Sequence, residues 1–410
     1  MDRRVLALAV ARMADALGNS FLIIVLPLYV ASGQVQGDTF GLPTSLVAGL
    51  VLGLFGIASS LTQPFAGRLS DRLGKRKTFV VVGLVVFFLV NLALAWADSY
   101  VVLFGLRIAQ GMAAALTITA SIALVNEVSH GGTRGRNMGL YNAFRLVGFG
   151  AGPLAASLLV EAGPFPVAWR EAPITGFEAS FYVAAAGAFV SVILVLLLVD
   201  DPDETEPTRE RLAIAIRHPT HPMRLDPIFA LGLITLVMAI CFAMLSAIEP
   251  EVNARLDQTP FVFAIEFVAL IAVLAVIQPL VGRASDRHGR RRYIIVGLIG
   301  LIPTTLGQGL VETPTQMIVV RALQGVAGAC IFAPALALAG DLAKKGQSGA
   351  QLSVLTIAFG LGIACGQLVA GAFVPLGFVV PFAIGAALAA VGLLIVMTQV
   401  PRQPVPEAAG

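Results

Sequence analysis

Charged residues are scarce in this chain of 410 residues. Asp, Glu, Lys and Arg together make up 12% of it, whereas 57% of the residues are hydrophobic. A soluble domain carries roughly 25% charged residues, so this composition cannot supply a water-solvated surface for a chain of this length. It excludes a soluble enzyme, a nucleic-acid-binding protein and a disordered chain, and it predicts a protein that crosses a lipid bilayer several times.

Residues that commonly hold metals or perform catalysis are also few. The three cysteines lie in apolar stretches without the C-x-x-C spacing of a metal site, and none of the four histidines lies in a predicted span. The chain has no H-x-x-x-H pair, no G-x-S-x-G elbow and no Walker A motif. We therefore expect no metal, no cofactor, no ATP-driven pumping and no enzymatic activity, although an enzyme or receptor that reuses a transporter fold stays open as an alternative.

Long continuous apolar runs dominate the chain and predict an all-α membrane protein. A bilayer core of about 30 Å needs roughly 20 apolar residues in a helix, whereas a barrel would need alternating segments of about ten. The predicted spans are 5–31, 44–66, 78–97, 100–127, 138–162, 178–199, 227–249, 260–281, 292–310, 315–341, 350–374 and 377–399.

The basic residues fall on one side of these twelve spans. Of the 27 Lys and Arg residues, 21 lie on one side, four lie within spans, and only Arg170 and Arg255 lie on the other side. Because cytoplasmic loops carry the excess of Lys and Arg, this split predicts that both termini are cytoplasmic. We expect the protein in the cell membrane, the inner or plasma membrane.

The sequence also repeats itself. GRLSDRLGKRK at 67–77 returns as GRASDRHGRRR at 282–292, and RIAQG at 107–111 returns as RALQG at 321–325, at offsets of 215 and 214. Two halves of six helices in parallel repeat are a transporter arrangement with its substrate site between them. We predict pseudo-symmetric six-helix bundles at 1–199 and 227–399, a cytoplasmic linker at 200–226 and a cytoplasmic tail at 400–410.

These motifs resemble those of the major facilitator superfamily. The segment 67–77 is similar to the family's loop between its second and third helices, 282–292 to its second copy, and Arg107-x-x-Gln-Gly to its fourth-helix motif. Gly148, Gly152 and Pro153 lie in GFGAGP, which resembles the fifth-helix motif of the family's proton-coupled drug antiporters. Where that motif continues with a pair of glycines, this chain has Ala156 and Ser157.

The resemblance implies a gate at the cytoplasmic face that holds the outward-open state. From the residues alone, a carboxylate such as Asp71 among five cations is not needed to set topology, and at a helix end it can accept charge-assisted hydrogen bonds. We expect the gate to consist of Gly67, Asp71, Arg72, Gly74, Arg76, Glu127, Gly282, Asp286, Arg287, Gly289 and Asp341. For the fifth-helix glycines, close helix packing and a hinge against the second half both stay open.

Polar residues within spans are functional candidates, because each is costly in a bilayer unless it is paired or hydrated. Helical spacing places Arg12, Asp15 and Asn19 on one face of the first span. The expected substrate cavity consists of Arg12, Asn19, Gln110, Tyr141 and Arg145.

The intramembrane acids differ between the halves. Asp15 has Phe229 at its repeat position, and Glu266 has Val51. At about 1.5 Å per residue, Asp15 lies about 15 Å from the cytoplasmic face and Arg107 about 10 Å from the opposite face. In a bilayer core of about 30 Å these depths differ by only about 5 Å, so the two side chains are within reach of each other. We expect proton coupling to involve Asp15, Arg107 and Glu266.

The sequence thus favours a secondary transporter working by alternating access, a proton-coupled antiporter that exports a small amphipathic or hydrophobic solute. The alternative is a facilitator or symporter for a small metabolite, including an anionic one, which the arginines within the spans keep open. The expected partners are a small-molecule substrate, protons and the lipid bilayer, with no nucleic acid, and we expect a monomer.

Overall fold

Backbone polar groups cannot stay unpaired in a bilayer, so apolar runs of this length fold as helices. The computed structural model describes residues 3–39, 41–129, 134–168, 170–200, 216–217, 225–342 and 348–401. Twelve helices of this part are long and apolar enough to cross a membrane, as predicted. In chain order the helices are α1 (Arg3–Ala31), α2 (Thr44–Leu73), α3 (Arg76–Leu94), α4 (Tyr100–Val128), α5 (Arg134–Ala162), α6 (Gly176–Leu198), α7 (Pro227–Ala247), the short α8 (Glu249–Leu256), α9 (Pro260–His288), α10 (Arg290–Leu310), α11 (Pro314–Leu342), α12 (Ser348–Phe373) and α13 (Val379–Gln399).

Local sequence explains where several helices begin. Thr175 and Glu178 form a reciprocal capping box at the start of α6, with Thr175 N donating to Glu178 Oε2 over 2.8 Å. At α7, the Asp226 carboxylate accepts from Ile228 N at 2.9 Å, and Pro227 occupies the first helical position.

The repeated basic segments were expected as loops, and that expectation is wrong. α2 continues to Leu73 and α3 begins at Arg76, so only Gly74 and Lys75 separate the two helices. Gly74 ends α2 with φ of 64°, in the left-handed region where glycine carries no steric penalty. In the second copy Gly289 alone, with φ of 94°, separates α9 from α10.

Helix packing repeats between α1–α6 and α7–α13, as the sequence repeat predicts. In the first half α1 packs on α5 and α6, α2 on α4, and α3 on α4 and α6. In the second half α7 packs on α12 and α13, α9 on α11, and α10 on α11 and α13. The predicted linker falls largely on 201–215 and 218–224 and most of the tail on 402–410, outside the described residues, so those boundaries stay predictions.

The two halves meet at one end of the molecule. We call the end that holds the start of α1, the end of α13 and the repeated basic segments the basic end, and the opposite one the far end. At the far end a single apolar cluster joins both halves, including Leu22 and Val30 of α1 with Ile248, which precedes α8, and Val252 within α8. Toward the basic end each half has its own separate apolar cluster.

α2 and α12 approach each other closely along what we call the glycine seam, formed by Gly49, Gly53, Gly56, Gly360 and Gly371. A methyl group at Gly49 would lie 2.6 Å from the Gln367 carbonyl oxygen, so only glycine allows this approach. Ser45 Oγ donates to the Gly371 carbonyl at 2.8 Å at the outermost point of the seam.

α5 and α9 make the second junction between the halves. Glu161 at the end of α5 accepts from Phe261 N, in the first turn of α9, at 2.8 Å. Together with the glycine seam, this bond shows that the far end is closed in this conformation.

Candidate functional site

The central feature of the first half is an ion pair on α1. Arg12 Nη1 bonds Asp15 Oδ2 one turn along the helix, with the side chains 13% and 4% exposed. Asp15 Oδ1 and Arg12 Nε are buried and have no hydrogen-bond partner among the described residues. The arginine that pairs with Asp15 is therefore Arg12, from the same face of α1.

Arg107 does not take part in this pair, contrary to the sequence-based expectation. Its Nε donates to the Val51 carbonyl of α2 at 2.8 Å, and its guanidinium lies 4.7 Å from the centre of the Phe55 ring. Another of its nitrogens bonds the Gln110 side chain. The face of α4 that carries Arg107 packs against α2, so a similar depth in the bilayer did not bring it to Asp15.

Gln110 was expected to line a cavity, and this is also wrong for this conformation. Its side chain is fully buried, and its Nε2 donates to Asn91 Oδ1 of α3 at 2.7 Å. Gln110 therefore cross-links α3 and α4 inside the first half. Asn19, by contrast, is only half-buried on α1.

α5 brings Tyr141 and Arg145 to the ion pair. The Tyr141 hydroxyl lies 2.5 Å from Ser121 Oγ, and its ring is buried. Arg145 is close enough to Arg12 and Tyr141 for their charges to interact, and it makes no hydrogen bond or ion pair with any residue that the structure describes. The guanidinium of Arg145 thus lies near that of Arg12 without an acid of its own among the described residues.

The fifth-helix glycines hold α5 against α1. A methyl group at Gly148 would lie 2.2 Å from the Met13 carbonyl oxygen, and one at Gly152 would lie 1.9 Å from Ser20 Oγ. Both contacts lie within the first half, so the hinge against the second half is wrong for these glycines and close packing accounts for them. Pro153 follows within the same helix.

The second half contains a different charged cluster. Glu266 of α9 is fully buried, and neither of its carboxylate oxygens has a hydrogen-bond partner among the described residues. Arg321 of α11 is close enough to interact electrostatically with Glu266. Its Nη1 donates to Gln324 Oε1 at 2.7 Å.

Glu249, at the start of α8, was missed by the sequence reasoning. It is fully buried, both carboxylate oxygens lack a partner in the described chain, and its charge interacts with that of Glu266. Burial raises the pKa of Glu249 well above its ordinary value. Glu249 is the last residue of the predicted span 227–249, and the two acids of Glu249-Pro-Glu251 directly after an apolar run were the signal that could have found it.

Two ion networks at the basic end contain five of the expected gate residues, and the central cation of the second network, Arg290, was not among those expected. Arg76 is buried and bonds both Asp71 and Glu127, its Nη2 lying 2.9 Å from Glu127 Oε1. This network joins the ends of α2 and α4 through α3.

In the second copy, Arg290 bonds both Asp286 and Asp341. Arg72 and Arg287 are exposed on the last turns of α2 and α9. Gly67 and Gly282, both expected in the gate, lie within α2 and α9 and have open space beside them.

Comparisons with known proteins agree with this architecture. The family model of the Major Facilitator Superfamily matches residues 8–248 and 231–410. A probable vesicular acetylcholine transporter-B of Danio rerio is 23% identical over 395 residues, which cover 92% of this chain and 76% of that protein. The quinolone resistance protein NorA of Staphylococcus aureus is 26% identical over 189 residues, which cover 46% of this chain and 43% of that protein.

Among solved structures, a bacterial homologue of the human lysosomal transporter Spinster, in an inward-facing and occupied conformation, superposes with a TM-score of 0.73. It is 17% identical, and the match covers 96% of this chain and 94% of that one. The fold, the twelve spans and the family match over both halves lead to one conclusion. The chain belongs to the major facilitator superfamily, and it is a multi-pass membrane transporter.

Proposed function

We propose that this transporter is a proton-coupled antiporter that exports a small amphipathic or hydrophobic solute by alternating access. The observation that carries the proposal is the buried Arg12–Asp15 pair, in which one oxygen and one nitrogen are unpartnered. We also propose that the basic end faces the cytoplasm, as the distribution of Lys and Arg predicts.

Asp15 is suited to bind and release a proton because two opposing effects act on it. Burial favours its neutral form, and the adjacent guanidinium of Arg12 favours its ionised form. A movement of α1 against α5, or the entry of water from one side, changes the balance between them. Alternating access supplies both changes, and a cationic group on the solute competes with the proton for the same carboxylate.

The conformation fits the loading step of export. With the far end closed and the basic end divided between two cores, the region around Asp15 is approached from the basic end. The names of two relatives, a quinolone resistance protein and an acetylcholine transporter, support a small organic solute.

A transport assay tests this proposal. In proteoliposomes with an imposed pH gradient, we expect the wild-type protein to accumulate a cationic dye against its concentration gradient. Asp15→Asn should abolish gradient-driven uptake while dye binding persists. Asp98→Asn, at an exposed acid of the far end, is the matched control and should transport normally. Unchanged pH-driven transport by Asp15→Asn would reject the proposed role of this residue.

A second candidate is favoured by Arg145, which has no counter-ion among the described residues. An unpaired guanidinium within the membrane favours an anionic group on the solute, as in a symporter for a small anionic metabolite. Such a protein would move protons and solute in the same direction. Proton flux measured during transport of dyes and of organic acids, with Arg145→Gln as the variant, distinguishes the two mechanisms.

A further inference from the structure

The buried carboxyl groups of Glu249 and Glu266 lie at the closed far end, away from the Arg12–Asp15 pair. Glu249 is on α8, which packs on α1 of the first half as well as on α9. Val252 and Leu256, one and two turns further along α8, belong to the apolar cluster that joins the two halves. Any opening of the far end must therefore move α8 or expose it to water.

The charges of this cluster do not balance. Both carboxyl groups are fully buried and make no hydrogen bond with any described residue. The amides of Asn253 and Gln258 lie close to Glu249 and Glu266 respectively, and the guanidinium of Arg321 lies near Glu266. Arg321 Nε is unpartnered too, because this arginine directs its Nη1 to the Phe242 carbonyl and to Gln324. Two ionised carboxylates against one cation would leave a buried charge uncompensated, which proteins avoid by binding a proton.

We infer that Glu249 and Glu266 form a second proton site, distinct from Asp15, and that a proton bound there holds the far end closed. The ligand is a proton taken from water on that side when the far end is open. The inference uses alternating access from the proposed function, but it does not require that transport itself be driven by protons.

The direction of the pH effect follows from solvation. In the closed state burial raises the pKa of Glu249; in an open state water would restore it toward the ordinary value of about 4.3. The closed state thus binds the proton more tightly. The stabilisation of the closed state relative to the open state is complete below about pH 4.3 and is lost as the pH rises through the raised pKa of Glu249. For one proton, the ratio of closed to open protein falls by at most about tenfold per pH unit.

Other ionisable groups near α8 must be separated from this pair. Glu251 is partly buried on the same helix, and burial raises its pKa as well. Arg255 stacks on the Phe378 ring at 4.7 Å, and Tyr29 donates to the Ala97 carbonyl. The remaining ionisable groups on the elements packed around α8 are Cys241 of α7, Asp257 at the end of α8, Arg3, Arg4, Arg12 and Asp15 of α1, and, at the opposite end of α9, Arg283, Asp286, Arg287 and His288. Glu161, at the end of α5, bonds the first turn of α9.

The test measures the distance across the far end as a function of pH, without substrate or a pH gradient. Spin labels on Gln34 and Thr315, both exposed at this end, report opening in lipid nanodiscs after the three native cysteines are replaced by serine. We expect the wild-type protein to shift toward longer distances as the pH rises from 5 to about 8. Glu249→Gln, which mimics the protonated acid, should stay closed throughout, and Glu266→Gln should flatten the response in the same direction.

Two control variants make the result decisive. Glu251→Gln on the same helix and Glu312→Gln at an exposed position should both retain the wild-type pH response. A wild-type distance that does not change with pH would overturn the inference, as would an unaltered response in Glu249→Gln or loss of the response in Glu251→Gln. Because no transport is measured, failure of the antiporter proposal leaves this result interpretable by itself.

Discussion

Arg107 and Arg321 occupy matching positions in the two halves, each three residues before a glutamine. Arg107 hydrogen-bonds the main-chain carbonyl of Val51, so it connects α4 to α2 without an acidic partner in the part of the chain that the structure describes. The repeat partner of Val51 is Glu266, and Arg321 accordingly faces a carboxyl group. The halves share helix packing and differ in buried charge, which indicates that packing serves the common fold and that charge serves the individual chemistry.

The ion networks at the basic end differ in burial. The Arg76 side chain is 3% exposed and its two acids are 24% and 21% exposed, whereas Arg290 is 19% exposed and its acids are 57% and 48% exposed. The same charge pattern is enclosed in one half and hydrated in the other. We expect the enclosed copy to contribute more to stability and to the proposed gate.

The largest expected effect comes from removing the central cation of each network. Arg76→Gln leaves Asp71 and Glu127 close together without a counter-ion and should cost about 3 kcal/mol of stability. Arg290→Gln, in the hydrated copy, should cost less than about 1 kcal/mol. Thermal unfolding of the detergent-solubilised variants measures both, and equal losses would show that burial does not separate the two networks.

Helix-packing glycines should behave alike in the two halves. A methyl group at Gly148 would lie 2.2 Å from the Met13 carbonyl, and one at Gly366 would lie 2.3 Å from the Ile240 carbonyl. We expect Gly148→Ala and Gly366→Ala each to lower stability by about 1–3 kcal/mol, because a carbonyl within a helix cannot move aside freely. A loss confined to Gly148→Ala would instead favour a special role for the fifth-helix motif.

A substitution in the glycine seam should change the balance between the closed and open conformations more than it changes the stability of the protein. Gly49→Ala places a methyl group against the Gln367 carbonyl and should disfavour closure of the far end by about 1 kcal/mol, roughly fivefold in population. The spin-label distance defined above measures this shift. A far end that closes as in the wild-type protein would contradict the seam's role as the closing contact.

The smallest expected effect is at Gly67 and Gly282, where open space surrounds a helical glycine. Alanine should stabilise the helix by up to about 1 kcal/mol at either position. Gly74→Ala is the control, because its left-handed φ of 64° makes alanine destabilising there. Loss of transport in Gly67→Ala at unchanged stability would assign this glycine a role in the gate that its surroundings in this conformation do not indicate.

The sequence predicted what depends on composition, period and repetition. It predicted the twelve spans, the two-fold repeat and a shared face for Arg12 and Asp15, because these follow from apolar run length, a fixed offset and helical spacing. It did not predict that Arg107 faces α2 or that Gly148 packs on α1, since helical position gives a face and a depth but not the neighbouring helix. Glu249 was missed because its burial results from contact with the other half of the chain.

The glycine seam also has a mechanical consequence, since it joins two long stiff helices near one end. Beyond Ser60, α2 continues through the 13 residues Leu61–Leu73, a length of about 20 Å at 1.5 Å per residue. Each degree of rotation about the seam thus displaces the basic end by about 0.35 Å, and ten degrees by about 3.5 Å. A small rotation about the seam therefore moves the basic end much further than it moves the seam. A side-chain change of an ångström at the far end is enough to make or break hydrogen-bonded contacts at the opposite face.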